Sequence, residues 1–281
     1  MSTKLHPPAD PLEAGSPYEL RLNQSSGVSE SFVRRSLETG DVGFLHSFTT
    51  GSAVDGPGLR VVAWTAGCAW RCRYCHNPDT WSMINGRAVT LDRAVEELRK
   101  YRRGLRVMSG GFTMSGGEPL LQDRFAARLF AAAKAMGIHT AIETNGSLGG
   151  RLNDEELERI DLVILDLKSW GEERHRRLTG KDLEPTLEFA RRLSAKNRPM
   201  WVRFVLVPGL TDDPEIASGI ARFAAGLGVV ERVEVLPFHQ MGLYKWDRLG
   251  IPYTLRETRP PSPELVERIC ASFRAEGLQA F

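Results

Sequence analysis

The sequence predicts an α/β protein that folds as a partial, open β/α barrel of about six parallel strands. From Gly43 onward, short apolar runs alternate with longer segments of helical periodicity, which is the pattern of repeated βα units. The runs are continuously apolar, as strands covered by helices on both faces require. Polar side chains follow each run at its carboxyl end. The strands are expected at residues 59–65, 111–115, 139–144, 161–167, 200–207 and 232–238.

The number of units favours an open sheet. About six units are fewer than the eight that usually close a barrel, so we expect an open barrel, with a doubly wound sheet as the alternative. Two helix starts carry clear signals. Asp213 precedes Pro214 and Ser262 precedes Pro263, and each pair is a capping side chain followed by a proline at the first helical position.

The chain is expected to hold one folded domain over residues 42–281, a length that suits a single core. Residues 1–41 are rich in Pro, Ser, Gly and charge, so we expect a disordered N-terminal extension. Within it, residues 31–38 have the pattern of a short helix. The acidic residues of this segment argue against a transit peptide.

Composition excludes several classes of function. The 37 Lys and Arg nearly balance the 35 Asp and Glu, so no nucleic-acid or polybasic membrane partner is expected. No apolar run approaches the roughly 18–20 residues of a membrane span, and a cytoplasmic protein is expected. Three of the 4 cysteines are packed together, which is a poor disulfide framework and a plausible metal site.

Cys68, Cys72 and Cys75 follow the first predicted strand with the spacing C-x3-C-x2-C. Three thiolates leave one iron of a four-iron, four-sulfur (4Fe-4S) cluster open to another ligand. Cys270 lies inside the last predicted helix, where a small core residue is the simpler interpretation. A zinc site with His76 as fourth ligand is the alternative, although His76 directly follows Cys75, which makes joint coordination awkward.

Because the carboxyl ends of barrel strands meet at one mouth, the polar side chains that follow the strands are expected to form one site. Glycines at 116 and 117 would let the backbone approach a ligand, and Glu118 offers a carboxylate to a ligand ammonium group. A glycine turn before a capped helix is the alternative for these three. The candidates after the other strands are Glu143, Thr144, Asp166, Lys168, Arg203 and His239.

The cysteine spacing resembles the cluster motif of the radical S-adenosylmethionine superfamily. By this resemblance, Tyr74 would lie near the adenine, and Glu118 in the GGE motif would contact the methionine amino group. Lys168, Arg203 and His239 would donate to the ligand carboxylate and ribose hydroxyls, although His239 alone suits a core histidine equally well.

Residues 43–281 also resemble, more specifically, the family of pyruvate formate-lyase activating enzymes. The motifs that carry this resemblance are HSFTTGSAVDGPGLR, YCHNPDTW, SGGEPLLQ, GIHTAIETNG, LVILDLK, VPGLTDD and LPFHQMGLYKW.

That resemblance implies a reduced 4Fe-4S cluster and S-adenosylmethionine that yield a 5′-deoxyadenosyl radical, which abstracts hydrogen from one glycine of pyruvate formate-lyase. It further implies flavodoxin or ferredoxin as electron donor, and we expect a monomer. Asp55 would lie near the target loop, with a turn residue as the alternative. A monovalent cation would bind at Glu143, Thr144 and Asp166, but the family has Asp where this chain has Glu143, and an end-of-strand cap is the alternative for Asp166.

Other radical enzymes remain as alternatives. Activases with an inserted ferredoxin-like module need about eight more cluster cysteines, which this chain lacks. Activators of anaerobic ribonucleotide reductase also lack the module, but they are shorter. A radical enzyme acting on a small molecule, or a noncatalytic cluster protein, would differ from an activase in having no need of a partner protein.

Overall fold

The computed structural model describes residues 29–281 and shows one mixed sheet flanked by helices. The strands of the described chain are β1 (Val42–Ser52), β2 (Arg60–Thr65), β3 (Arg87–Thr90), β4 (Gly111–Gly116), β5 (His139–Thr144), β6 (Leu162–Asp166), β7 (Met200–Leu206) and β8 (Val230–Pro237).

The sheet order is β3-β1-β2-β4-β5-β6-β7-β8, and β2 and β4 to β8 run parallel to one another. These six are the predicted strands, each found within two residues of its expected bounds. The sheet has two edge strands and is therefore not closed, so the predicted open barrel is confirmed.

Two strands that the sequence pattern did not predict, β1 and β3, extend the sheet beside β2. β1 is antiparallel to both of its neighbours, and its pairing with β2 has register shifts between Leu45 and Ser47 and between Thr50 and Ser52. Such irregularities break the two-residue alternation by which a strand is recognised. β3 has only 4 residues, too few for a periodic signal.

Helices cover the sheet and form the core together with it. Those of the described residues are α1 (Glu30–Thr39), α2 (Leu91–Val107), α3 (Asp123–Ala135), α4 (Asp154–Glu158), α5 (Glu172–Thr179), α6 (Glu184–Ala195), α7 (Pro214–Leu227), α8 (Leu243–Leu249) and α9 (Pro263–Ala275). α7 and α9 begin as predicted, with Asp213 and Ser262 accepting hydrogen bonds from the first helical turn. Cys270 of α9 is buried in the main core. None of these helices is long and apolar enough to cross a bilayer.

α1 belongs to the segment that the sequence analysis assigned to the extension. The helix packs on the domain through the Phe32 ring, whose centroid lies 6.3 Å from that of Phe44. At its end, Arg128 of α3 donates a hydrogen bond to the Thr39 carbonyl. Residues 30–39 are therefore a packed part of the fold, while residues 1–28 of the predicted extension lie outside the described residues.

Candidate active site

The carboxyl ends of the parallel strands surround a cavity of about 260 Å³. This is the mouth at which a β/α barrel places its reactive groups. Most of the predicted site residues line the cavity, namely Asp55, Cys68, Cys72, Tyr74, Cys75, Gly116, Gly117, Glu143, Thr144, Asp166, Lys168 and Arg203. Glu118 and His239 are the predicted site residues that do not line it.

The loop that carries the three cysteines is held in place by backbone hydrogen bonds to other elements. The amides of Arg71 and Arg73 donate to the carbonyls of Thr179 and Leu178 at the end of α5, over 2.8 and 3.0 Å. Later in the same loop, the Trp81 carbonyl accepts from the Cys68 amide over 3.1 Å. Because both ends of the loop are fixed, the positions of the thiols are set by the fold.

Helix α8 fixes the third cysteine from the other side. Trp246 donates its indole N–H to the Cys75 carbonyl over 2.9 Å. The Lys245 ammonium lies 2.9 Å from Asn77 Oδ1 and 3.0 Å from an Asp79 carboxylate oxygen. A charged side chain therefore ties α8 to the segment that follows Cys75.

Cys72 is buried, and Cys68 and Cys75 are partly buried at the cavity wall. Burial raises the pKa of Cys68 to about 12, and burial likewise raises the pKa values of Cys72 and Cys75. A thiolate is the form that binds a metal, so binding of an iron centre here would release the protons that burial keeps on these thiols.

The arrangement fits a cluster better than a single metal ion. Within residues 29–281, no three His, Cys, Asp or Glu side chains converge as ligands of one ion. A cubane needs no such convergence, because each thiolate binds a different iron. His76, the fourth ligand of the zinc alternative, instead donates from Nε2 to the His239 carbonyl over 3.1 Å, and burial lowers the pKa of its ring to about 4.

The two glycines of the SGGEP segment allow close packing against the cysteine loop. Gly116 has φ +116°, and a Cβ there would lie 2.3 Å from the Thr65 amide nitrogen. A Cβ on Gly117 would lie 2.3 Å from the Gly67 carbonyl oxygen. An added Cβ at either glycine would therefore meet backbone of β2 or of the loop that follows it, and both glycines also line the cavity.

Glu118 is 1% exposed, and its carboxylate is directed toward the protein. Oε1 accepts from the Thr144 hydroxyl over 2.7 Å and from the Leu120 amide over 3.0 Å, and Oε2 accepts from the Asn145 amide over 2.9 Å. Burial raises the pKa of this carboxyl to about 7. With these internal donors, Glu118 connects the turn after β4 to the end of β5.

A partly buried ion pair lies near the aromatic ring of the cysteine loop. Lys168 Nζ lies 3.0 Å from Asp166 Oδ2 and 5.8 Å from the centroid of the Tyr74 ring. Burial opposes the charge on Lys168, but Asp166 and Tyr74 outweigh it and raise the pKa of the ammonium well above its usual value. The Tyr74 hydroxyl is buried without a hydrogen-bond partner among the described residues, so a polar group is available to a bound ligand.

Arg203 of β7 joins three acidic side chains at the cavity wall. Nη1 donates to Glu143 Oε1 over 2.5 Å and Nε donates to Glu234 Oε2 over 2.7 Å. Nη1 also lies 3.8 Å from Asp55, while Nη2 donates to the Val54 carbonyl. Burial raises the pKa of Asp55, and Glu143 raises it further.

His239 lies behind the cysteine loop. Its ring stacks on that of His76 with centroids 4.1 Å apart, and its Nδ1 accepts from the Met241 amide over 3.3 Å. The placement after β8 is as predicted, but the side chain packs against the loop and does not line the cavity.

Several lining residues were not singled out from the sequence. Ser115 donates to Glu143 Oε2 over 2.5 Å, and Asn77 lies beside Cys75 at the cavity. Ser115 lies in the motif SGGEPLLQ and Asn77 in the motif YCHNPDTW, so the family resemblance carried by these motifs could have identified both. Trp64, Val205 and Leu236 supply apolar walls from the ends of strands, where no polar group marks them.

The chain is similar in sequence to known proteins. Residues 62–218 match the family model of the Radical SAM superfamily. The pyruvate formate-lyase-activating enzyme of Staphylococcus epidermidis is 45% identical over 235 residues, which cover 80% of this chain and 92% of that protein. The pyruvate formate-lyase 1-activating enzyme of Escherichia coli K12 is 43% identical over 81% of this chain and 94% of its own length.

Among solved structures, the fold is similar to a domain of the pyruvate-formate lyase-activating enzyme from Bacteroides vulgatus. The TM-score is 0.50 at 25% identity, and the match covers 61% of this chain and 98% of the solved domain.

Proposed function

Since the chain belongs to the Radical SAM superfamily and, within it, to the family of pyruvate formate-lyase-activating enzymes, we propose that it installs a glycyl radical on a pyruvate formate-lyase. The observation that carries this proposal is the cavity itself, in which three motif cysteines face the polar ends of the neighbouring strands. The cofactors of this family are a 4Fe-4S cluster and S-adenosylmethionine, and the residues present fit both.

The three cysteines would hold the cluster, and bound S-adenosylmethionine would supply a 5′-deoxyadenosyl radical for hydrogen abstraction. At the cavity wall, Tyr74 offers an aromatic face and an unpaired hydroxyl to the adenine side of the ligand. Lys168 keeps its positive charge and lies where a ligand carboxylate would be bound, with Asp166 holding the ammonium in place.

Glu118 takes a different role in this proposal from the one expected. Because its oxygens are occupied by Thr144, Asn145 and Leu120, it positions the end of β5 beside the ligand. The amino group of the ligand would then be bound by other groups of the cavity, and Glu118 is a positioning residue.

The partner glycine would enter through the open mouth of the barrel. Asp55 is buried at the cavity wall, while the neighbouring Val54 is 72% exposed. One segment therefore contributes both an inner carboxylate and an outer apolar contact, which suits a polypeptide loop better than a small solute.

The test is electron paramagnetic resonance on reduced, cluster-loaded protein mixed anaerobically with S-adenosylmethionine and a pyruvate formate-lyase. We expect a persistent glycyl-radical signal, and none when the target glycine is replaced by alanine. Turnover of a small substrate without any partner protein, or a radical only on anaerobic ribonucleotide reductase, would contradict the proposal.

Cysteine variants provide the matched control. Cys68→Ala, Cys72→Ala or Cys75→Ala should each abolish S-adenosylmethionine cleavage, since each removes one cluster ligand. Cys270→Ala should retain it, because Cys270 is a buried residue of the main core that does not line the cavity. The iron content of each variant separates loss of the cluster from misfolding.

For the electron donor, we propose an acidic carrier protein such as flavodoxin or ferredoxin. Arg71 and Arg73 are exposed on the loop between the cluster cysteines, and the groups of the described residues that accept their hydrogen bonds are uncharged. Positive charge at this place would attract a negatively charged donor to the outer face of the cluster loop. We also propose that the protein is a monomer and that it is cytoplasmic, and the four cysteines, all unpaired in the described chain, suit a reducing compartment.

A further inference from the structure

We propose that the guanidinium of Arg203 is the built-in cation of this ligand site and that the protein needs no bound monovalent metal ion. The inference rests on the proposed function, since it concerns the site assigned there to S-adenosylmethionine. The residues expected to hold a cation are Glu143, Thr144 and Asp166. In the structure each of them already has a partner within the protein.

Glu143 is the departure that matters most, because it carries one methylene more than the Asp expected at this position. Its two carboxylate oxygens are directed to different donors, one to Arg203 Nη1 and one to the Ser115 hydroxyl, each over 2.5 Å. Burial acts to raise the pKa of Glu143, but Arg203 and Ser115 outweigh it and lower the pKa. The carboxylate is thus ionised and bound by protein groups.

Thr144 and Asp166 are engaged as well. The Thr144 hydroxyl donates to Glu118 over 2.7 Å and accepts from the Gly146 amide over 2.9 Å. Asp166 pairs with Lys168 over 3.0 Å. Each of the three side chains therefore has a different partner within the protein, namely Arg203, Glu118 and Lys168.

Arg203 has the properties of a fixed counter-ion. Its side chain is 7% exposed, and its donors reach Glu143, Glu234 and the Val54 carbonyl. Burial opposes the charge, but Glu143 and Glu234 raise the pKa of the guanidinium above its usual value. The planar, forked guanidinium group has several donors and binds carboxylates in a defined geometry. It can therefore hold the carboxylates that a mobile metal ion would otherwise have to hold.

A metal ion at this site would have to share Glu143 with that fork. Sodium and potassium are bound through oxygen, and each oxygen of Glu143 already accepts a hydrogen bond from Arg203 or Ser115, which lowers the negative charge that it offers to a metal ion. Moving Glu143 away would leave a buried guanidinium with one partner fewer, which is strongly unfavourable. An aspartate would be too short to reach Arg203 in the same way, so its carboxylate would remain available to a metal ion.

The experiment measures S-adenosylmethionine binding by calorimetry on the cluster-loaded protein, in potassium, sodium and tetramethylammonium chloride of equal ionic strength. We expect the three dissociation constants to agree within about twofold. Binding that is tenfold or more tighter in potassium or sodium, on the order of 1.4 kcal/mol, would overturn the proposal.

Glu143→Asp is the matched variant. We expect its binding of the ligand to become dependent on the metal cation by about tenfold, because the shortened carboxylate leaves Arg203. A variant that folds, keeps its iron and stays independent of the cation would also overturn the proposal. If the variant fails to fold, the melting temperature of the unaltered protein with and without potassium gives the second measurement, and a rise of several degrees would overturn it.

These outcomes are separate from the proposed function. Ligand binding is measured without a partner protein, so absence of a glycyl radical would leave the result on Arg203 intact. Conversely, a strong cation dependence would refute the role of Arg203 while the activase remained active.

Discussion

His175 is a fully buried histidine whose two ring nitrogens have different surroundings. Nδ1 donates to the Lys181 carbonyl over 3.0 Å, while Nε2 is buried with no hydrogen-bond partner among the described residues. The ring meets Trp70 of the cysteine loop edge to face, with centroids 4.9 Å apart. Burial lowers the pKa of His175 below the ordinary value of 6.5. A second proton, on Nε2, would create a buried charge whose N–H has no acceptor among the described residues.

The sign of the resulting pH dependence follows from this shift. Between the lowered pKa of the folded state and 6.5, the unfolded chain binds more protons at this position than the folded chain does. The free energy of unfolding should therefore fall as the pH drops below about 6.5. His76 and His139, whose pKa values are also lowered by burial, act in the same direction.

We predict that His175→Asn makes the melting temperature less sensitive to acid. The Asn amide can keep the hydrogen bond to the Lys181 carbonyl but cannot take up a proton. Between about pH 7.5 and about pH 5.5, the parent should lose about 1 kcal/mol more stability than the variant. Thermal melts at several pH values measure this, and parallel curves for parent and variant would refute the prediction.

At the scale of elements, α8 illustrates how a short helix stabilises a loop. It has 7 residues and contributes Lys245 and Trp246 to the segment around Cys75. The Lys245 side chain is 14% exposed, so its ion pair with Asp79 is better shielded from water than a surface pair.

We predict that Lys245→Met accelerates loss of iron to a chelator without changing the fold. Removing the ammonium leaves Asn77 and Asp79 without this donor, and a cost of about 1 kcal/mol corresponds to about fivefold in rate. The control is Lys196→Met. It removes a surface lysine that directly follows α6 and pairs with Asp154. Equal rates of iron loss in the two variants would show that α8 does not hold the loop.

The elements differ in how far the sequence predicts them. Local signals, such as Asp213 before Pro214 and the continuous apolar run of β6, identify their elements because the physical cause lies within a few residues. β1 depends on distant contacts. For example, the Phe44 amide donates to the Gln122 side chain 78 residues away, over 2.7 Å. Pairing of this kind leaves no periodic trace in the strand itself.

For the molecule as a whole, the distribution of positive charge gives a test of where the electron donor binds. Arg71→Glu together with Arg73→Glu should slow reduction of the cluster by reduced flavodoxin about tenfold at low salt and weaken its salt dependence. Stopped-flow absorbance measures the rate.

Two controls accompany this prediction. Arg102 and Arg103, exposed on α2, give a double Glu variant with the same change in net charge. Dithionite, a small reductant, should reduce all three proteins equally. A loss of rate with dithionite, or an equal loss in the α2 variant, would contradict binding of the donor at the cysteine loop.

The candidate site as a whole was predictable from position along the chain, and the direction of individual side chains was not. The rule that strand ends meet at one mouth places Cys68, Lys168 and Arg203 at the same cavity. Glu118 and His239 follow their strands in the same way, yet internal partners direct both away from the cavity. Those partners come from other parts of the chain, so spacing alone does not reveal them.

The two glycines beside the cysteine loop limit how the protein could be re-engineered. A Cβ at either position would lie 2.3 Å from backbone atoms that precede Cys68, so altering either glycine would shift the cluster cysteines together with the ligand pocket. A laboratory search for altered ligand preference should therefore keep Gly116 and Gly117 fixed. Diversity belongs at the apolar wall residues Trp64, Val205 and Leu236, whose partly exposed side chains can change size with less strain than those of the packed core.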